Sequence, residues 1–224
     1  MSTSESGNII ETSWRFLEEM VEYWSSGGWP LVPLALIAAL MFYRYFLLRR
    51  RLKEALSTPS EAIHDFESSC EDEVAPETLR QESAELPGAM ARITRHTMAR
   101  ISADIPFREA FEQSRDAELS RFSPSFFILT GLVAAAPLLG LLGTVFGMME
   151  TFRAVGQASS DIADQMADGI SKALITTQAG LVIALPGTFG LAHLCRLFQR
   201  LQNQADHWES HLKLIINGPA KPEA

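Results

Sequence analysis

The sequence predicts an all-α polytopic membrane protein, in which three transmembrane helices extend into the cytoplasm as a helical bundle. Three observations predict this class. Three long stretches carry almost no formal charge, the segments between them are strongly polar, and basic residues gather beside alternate ends of the stretches. The average values, 47% hydrophobic residues and a mean hydropathy of +0.06, conceal this division into apolar and polar segments.

The three apolar stretches occupy residues 27–48, 122–149 and 173–195. A helix needs about 20 apolar residues to cross the hydrocarbon core of a bilayer, and each stretch meets that length. A soluble protein can bury one such helix, but three of them separated by polar segments favour a membrane protein. We therefore expect a transmembrane helix in each stretch.

The basic residues predict the orientation of these helices. Residues 49–121 begin with Arg49-Arg50-Arg51 and end with Arg121, and residues 196–224 begin with Arg196. Residues 1–26 and 150–172 are acidic instead. The positive-inside rule then places the N-terminus and the short loop 150–172 outside, and the other two segments in the cytoplasm. Because the N-terminal segment carries five Glu and a single Arg, we do not expect a cleaved signal peptide.

The N-terminal segment 1–26 shows apolar residues at helical spacing. This pattern predicts an amphipathic helix on the outer membrane surface, with tryptophans at the interface. A frayed terminus is the alternative. The apolar positions are Ile10, Trp14, Leu17, Val21 and Trp24.

The cytoplasmic insert, residues 49–121, has an acidic part at 57–88 with three prolines and a part at 89–121 that predicts one helix. The insert contains no phosphate loop, no GxSxG and no HExxH motif, so we expect helices that pack together rather than an enzyme domain. The predicted apolar side of 89–121 comprises Met90, Ile93, Thr97, Ile101 and Ile105.

The C-terminal segment 196–224 continues an apolar stripe beyond the third span. Such a stripe would be exposed on a lone helix, so it implies either a bundle or an oligomer. Its residues are Leu194, Leu197, Leu201, Trp208, Leu212 and Ile215.

The second and third spans are unusual because each concentrates small residues and threonines on one face. Small residues allow two membrane helices to approach closely, so packing is one reading. Two matched faces on consecutive helices also favour the joint lining of a pathway, and both readings stay open. The faces comprise Pro137, Gly140, Thr144, Gly147 and Thr151 in the second span, and Thr177, Gly180, Ala184, Gly187 and Thr188 in the third.

The apolar cores contain no Asp or Glu. A proton path through a bilayer needs a titratable group near its middle. If protons pass here, another chain must bring the carboxylate. Cys70, Cys195 and five scattered histidines form no metal-ligand pattern, so we expect no metal and no cofactor. The net charge of −8 gives no indication of nucleic-acid binding.

Two motifs carry a family resemblance. PLLGLLGTVFGMMETF at 137–152, followed after a short loop by GISKALITTQAGLVIALPG at 169–187, resembles the paired signature of the ExbB/TolQ/MotA proton-channel family. The GGWPLVP entry to the first span is similar to the start of many members. Three spans with the N-terminus outside resemble ExbB and TolQ rather than MotA.

This resemblance implies a homopentamer in the bacterial inner membrane, with the N-terminus in the periplasm and the C-terminus in the cytoplasm. The pentamer would enclose the single-span helices of an ExbD- or TolR-like partner, whose Asp binds protons. Proton motive force would then drive work on a TonB- or TolA-like protein for outer-membrane transport or envelope maintenance. The chain itself would contact lipid and have no catalytic site.

The resemblance also implies roles for single residues. The family's pore-facing threonines match Thr144 and Thr177. We predict that Gly140, Gly147, Gly180 and Ala184 line the pore with them, and that Pro137, Gly143, Pro186 and Gly187 serve helix packing. Many members have Glu where this chain has Lys172 in GISKAL, at the expected pore entrance, so a carboxylate role does not carry over. Lys172 can instead pair with Asp168, four residues earlier.

Two other classes compete with a motor subunit. A structural membrane scaffold would use the small-residue faces for packing alone. An intramembrane enzyme would need a nucleophile–base pair or a metal cluster within the spans, and none is visible there.

Overall fold

The computed structural model describes residues 28–57, 88–156 and 162–217. These residues form five α-helices and no strand, which confirms the all-α class. The predicted N-terminal amphipathic helix and most of the acidic part of the insert lie outside the described residues. The helices are α1 (Leu31–Ala55), α2 (Gly88–Ile101), α3 (Phe107–Ser120), α4 (Ser123–Gly156) and α5 (Ile162–Asn217).

Helices α1, α4 and α5 are each long enough to cross a membrane. In the described part of the chain, three helical stretches combine this length with an apolar 18-residue window. Many large apolar side chains on them are exposed, including Phe127 at 82%, Val32 at 71% and Leu138 at 66%. A surface of this composition is suited to lipid or to another membrane helix, so the chain is a multi-pass membrane protein.

The chain divides into two compact units, and the division falls inside α1, α4 and α5. Of the described residues, the first unit contains 28–43, 129–156 and 162–189, and we call it the span unit. The second contains 44–57, 88–128 and 190–217, and we call it the polar unit.

In the span unit, α4 runs antiparallel to both α1 and α5. Gly147 of α4 approaches Gly169 near the start of α5, whereas Val133 of α4 approaches Gly187 further along α5. Trp29, just before α1, contacts Phe146 with ring centroids 5.8 Å apart. The beginning of α1, the end of α4 and the beginning of α5 therefore lie at the same end of this unit, which agrees with the alternating spans that the sequence predicts.

In the polar unit, residues 89–121 form two helices, so the prediction of a single helix is wrong. The chain turns after α2 in a Schellman motif, because the amide of Asp104 donates to Ile101 O at 2.9 Å and the amide of Ile105 donates to Arg100 O at 3.3 Å. Asp104 occupies the left-handed region with φ 66°, which is uncommon outside glycine. Pro106 then precedes α3 with an extended backbone, ψ 141°, so the first helix cannot continue.

The apolar residues of this hairpin form the core of the polar unit. Met90, Ile93, Met98 and Phe111 are fully buried, and Thr97 of the predicted face is buried with them. Ile105 is only half-buried because it belongs to the turn.

Four residues of the apolar stripe of α5 are also covered within this unit, whereas Leu197 is half-buried and the side chain of Ile215 lies outside the described residues. Leu194, Leu201 and Leu212 are fully buried, and Trp208 is 3% exposed. Of the two explanations that the sequence left open, the chain's own bundle therefore accounts for these four residues.

A buried carboxylate connects α2, α3 and the turn that follows α3. The Glu118 side chain is 4% exposed, and its Oε1 accepts from Arg92 Nε at 2.7 Å. Its Oε2 lies 3.0 Å from Arg121 Nη1. Two guanidinium groups thus compensate one buried charge, which would otherwise be costly to desolvate.

The buried pair Thr94–Trp208 provides a test of this core. Trp208 Nε1 donates to Thr94 Oγ1 at 2.8 Å, and Thr94 donates in turn to Met90 O at 2.9 Å. Thr94→Val leaves a buried indole N–H without its acceptor, so we expect a loss of about 1–3 kcal/mol in unfolding free energy. Thermal and denaturant unfolding of the detergent-purified chain, followed by circular dichroism, measures this loss.

The double variant Thr94→Val with Trp208→Phe is the control. Thr94→Val alone and Trp208→Phe alone each also alter packing. The hydrogen bond is therefore measured only by the double-mutant cycle, as the difference between the loss in the double variant and the sum of the two single losses. We expect the two losses to be less than additive, and full additivity would contradict the bond.

Candidate functional site

The candidate site is the seam between α4 and α5 in the span unit, where the small residues of both spans meet. Gly140 approaches Gly180 and the backbone of Thr176 and Thr177. A Cβ at Gly140 would lie 3.1 Å from Thr176 O and 3.3 Å from Gly180 Cα. The two backbones are therefore nearly in contact, which is possible only where side chains are absent or very small.

The other seam glycines are at least as closely packed. A Cβ at Gly147 would lie 2.6 Å from Gly169 O, and one at Gly180 would lie 2.8 Å from Ala136 O. A Cβ at Gly143 would overlap the side chain of Thr176, which is 2% exposed. Thr176 thus fills the space that Gly143 leaves, and its hydroxyl donates to Ala173 O at 2.9 Å.

These contacts place most of the predicted pore-lining residues inside the chain. Gly140, Gly147, Gly180 and Ala184 are all buried, and the first three face the neighbouring helix rather than a lumen. In the structure these three glycines therefore pack against the neighbouring helix, because its backbone occupies the space beside them, and their role as pore lining stays a prediction.

Of the four residues predicted for helix packing, the two glycines are buried and the two prolines are not. Gly143 and Gly187 are buried, and a Cβ at Gly187 would lie 2.5 Å from Met41 Sδ and 3.1 Å from Val133 Cγ2. Pro137 is half-buried and Pro186 is exposed. The two prolines interrupt the backbone hydrogen-bond ladders of α4 and α5 from within those helices, since proline has no amide proton.

The two predicted pore threonines lie beside the seam and remain half-buried. The Thr177 hydroxyl is within hydrogen-bond distance of Gly140 O across the seam, 3.1 Å, and of Ala173 O on its own helix, 3.2 Å. Thr144 donates to Leu141 O at 2.6 Å. Both hydroxyls are thus satisfied by backbone carbonyls while part of each side chain stays accessible.

A charged cluster occupies the end of the span unit where α4 ends and α5 begins. Lys172 Nζ lies 2.7 Å from Asp168 Oδ2, so the pair predicted from the sequence is present. The ammonium also lies 3.7 Å from Glu150 Oε2 of α4, a partner that sequence spacing could not identify because it is 22 positions away in the chain. The hydrogen bond to Asp168 raises the pKa of Lys172 above its usual 10.5, against a smaller opposing effect of burial. Lys172 is accordingly charged at neutral pH.

The fold and the seam together define a multi-pass α-helical membrane protein whose second and third spans pack through glycine and threonine. Comparison with known proteins makes this class specific. The sequence model of the MotA/TolQ/ExbB proton channel family matches residues 85–207. The chain is 31% identical to the biopolymer transport protein ExbB-like 1 of Synechocystis sp., over 96% of this chain and 84% of that protein.

Two further relatives are similar over shorter regions. The biopolymer transport protein exbB1 of Vibrio cholerae is 35% identical over 44% of this chain and 43% of that protein. A biopolymer transport protein ExbB homolog of Methanothermobacter thermautotrophicus is 32% identical over 76% of this chain and 61% of that protein. The chain belongs to the MotA/TolQ/ExbB proton channel family and is similar to its ExbB-like members.

The tight contact at Gly143 gives a direct test of the seam. Gly143→Ala places a methyl group against Thr176, so we expect overpacking to cost about 1–3 kcal/mol and to lower the thermal unfolding temperature of the detergent-purified chain.

Gly131→Ala is the matched control on the same helix, because nothing lies within 4 Å of the Cβ that it adds. We expect this variant to unfold at the wild-type temperature or slightly above it, since alanine is the better helix former. If the two variants unfolded at the same temperature, the close approach at Gly143 would be disproved.

Proposed function

We propose that this chain is the inner-membrane proton-channel subunit of a motor that converts proton motive force into work on a TonB- or TolA-like protein. The observation that carries the proposal is the family membership, together with the position of Thr144 and Thr177 beside the α4–α5 seam. A homopentamer with its N-terminus in the periplasm would surround the transmembrane helices of an ExbD- or TolR-like partner. The chain would contribute a channel wall and perform no catalysis.

The spans support the requirement for a partner. Residues 31–43, 129–149 and 173–189 of the span unit contain no Asp, Glu, Lys, Arg or His. These three stretches therefore offer no acidic, basic or histidine side chain in the middle of the bilayer, and the group that binds the proton must be brought by another polypeptide. An Asp on a single-span partner meets this requirement.

The different positions of the glycines and the two threonines also support the proposal. The buried glycines hold α4 against α5, so the relative position of Thr144 and Thr177 is fixed by backbone contacts. We propose that only these two threonines, and not the glycines, form the channel wall. A hydroxyl is polar enough to accommodate an acid beside it and too weak to retain an ion.

A membrane scaffold is the second candidate, because the same seam packs so closely. In that case the small residues would have no role beyond helix association. The two candidates differ in whether the half-buried hydroxyls matter, and in whether a partner with a membrane Asp is required.

The threonines are tested by Thr144→Val and Thr177→Val, each with serine at the same position as its control. Valine preserves the shape and removes the hydroxyl, whereas serine preserves the hydroxyl. We expect the valine variants to lose energy-dependent function, measured as proton flux into vesicles that contain the chain with its partner, by at least about tenfold.

We expect the serine variants to retain most of the flux and all four variants to assemble like the wild type on size-exclusion chromatography. Normal flux in both valine variants would reject the channel-wall assignment, whereas the absence of flux from the wild-type chain with its partner would favour the scaffold.

The partner is tested by co-purification from the native membrane. A channel subunit should bring down a small single-span protein with an Asp in its span, and replacing that Asp by Asn should stop the flux. The chain reconstituted alone should leave a pH gradient intact, and rapid dissipation of the gradient by the chain alone would contradict the need for a partner.

A further inference from the structure

We propose that the charged end of the span unit binds the headgroup of a zwitterionic phospholipid that carries a primary ammonium, such as phosphatidylethanolamine. The site is a cavity of about 270 Å³ at the end where α4 finishes and α5 begins. Its lining combines three charged side chains with glycines and aromatic rings. The residues that matter here are Trp29, Phe146, Glu150, Arg153 and Lys172.

The cavity lies at the depth where headgroups are expected. It is formed where the first predicted span begins, the second ends and the third begins, at residues 27, 149 and 173. Trp29 borders it with 65% of its surface exposed and stacks edge-on against Phe146. Tryptophan is enriched at the boundary between hydrocarbon and headgroups, so the position of this ring is that of an interfacial residue.

An apolar track leads from the cavity towards the middle of the span unit. Val32, Leu36 and Leu40 follow Trp29 at helical spacing along α1, with exposed fractions of 71%, 61% and 43%. Acyl chains of a lipid whose headgroup occupied the cavity could lie along this track. A soluble ligand would leave it uncovered, which is why we assign the site to a lipid.

The charges in and beside the cavity select the type of headgroup. Arg153 and Lys172 are cations that suit a phosphate, whereas Glu150 is a carboxylate that suits an ammonium. Asp168, which holds Lys172 at 2.7 Å, is a second carboxylate next to the lining. Two cations and two carboxylates are complementary to a headgroup with one phosphate and one ammonium. Lys172 is held most closely by Asp168, and Glu150 Oε2 is 3.7 Å from the ammonium of Lys172, so Glu150 is the carboxylate that can accept from a lipid ammonium. A headgroup with phosphate alone would leave this acceptor unused.

The phosphate–ammonium pair could also come from soluble phosphoethanolamine, so the experiment must separate the two sources. Native mass spectrometry of the detergent-purified full chain, titrated with phosphatidylethanolamine, phosphatidylglycerol or phosphoethanolamine, provides the separation. We expect wild-type protein to retain phosphatidylethanolamine about fivefold more strongly than phosphatidylglycerol, which corresponds to about 1 kcal/mol for a partly exposed charge pair. Phosphoethanolamine binding as strong as that of the lipid would overturn the lipid assignment.

The variants Glu150→Gln and Arg153→Gln remove the two kinds of charge separately. Glu150→Gln deletes the partner of the ammonium, so the preference for phosphatidylethanolamine should disappear while phosphatidylglycerol binds at least as well. Arg153→Gln deletes a partner of the phosphate, so it should weaken both lipids.

Asp164→Asn is the matched control, because Asp164 is an exposed carboxylate near the start of α5 that does not line the cavity. It should leave both affinities unchanged. An equal lipid preference in wild type, Glu150→Gln and Asp164→Asn would overturn the proposal. Since lipid retention is measured without proton flux, this result is independent of the proposed channel function.

Discussion

The contact of the α4 and α5 backbones is the constraint on which the rest of the span unit depends. Between membrane helices there is little hydrophobic attraction, because lipid is as apolar as the side chains, so close packing has to supply the stability. Glycines at 140, 143, 147 and 180 make the approach possible, and none of them can gain a Cβ without a contact of 3.1 Å or less. The composition of the second span, which is poor for a simple anchor, is explained by this contact.

The seam also determines which polar groups stay accessible. Thr151 and Thr176 are buried, whereas Thr144 and Thr177 are half-buried at its edge. All four threonine hydroxyls donate to backbone carbonyls, which is how a membrane helix tolerates them at low cost. Thr176 and Thr151 are buried because their side chains fill the space beside Gly143 and Gly169.

Hydrophobicity and charge were sufficient to predict the number and class of the membrane helices, because both are local properties of the chain. It was also sufficient for the pair Lys172–Asp168, whose partners are four residues apart on one helix. It could not identify Glu150 or Arg92–Glu118, since these contacts depend on how separate helices meet. The turn at Asp104 was missed although Pro106 is a helix-breaking signal in the sequence, whereas the left-handed backbone of Asp104 itself follows from no pattern of side chains.

Contacts between separate helices also decide what the glycines pack against, and the sequence could not show this. A face of small residues has the same sequence pattern whether a helix of a partner or another helix of the same chain packs against it. Only the separations across the seam distinguish the two cases, and here they are contact distances within one chain. The family resemblance did select Thr144 and Thr177 from the sequence. The sequence could not show that their side chains would be half-buried.

The hydrogen bonds of Thr144 and Thr177 suggest how such a wall would treat the two forms of an acidic guest, given the proposed partner. Each hydroxyl already donates its only proton to a carbonyl, so what it presents to a neighbour is oxygen lone pairs. A protonated carboxyl group can donate to those lone pairs while both threonines keep their backbone bonds. An ionised carboxylate can only accept, so a threonine must first release its carbonyl, a bond worth about 1 kcal/mol. The wall would therefore favour the neutral acid by a small margin, which is the condition for a proton carrier to pass along it and then move away once it has lost its proton.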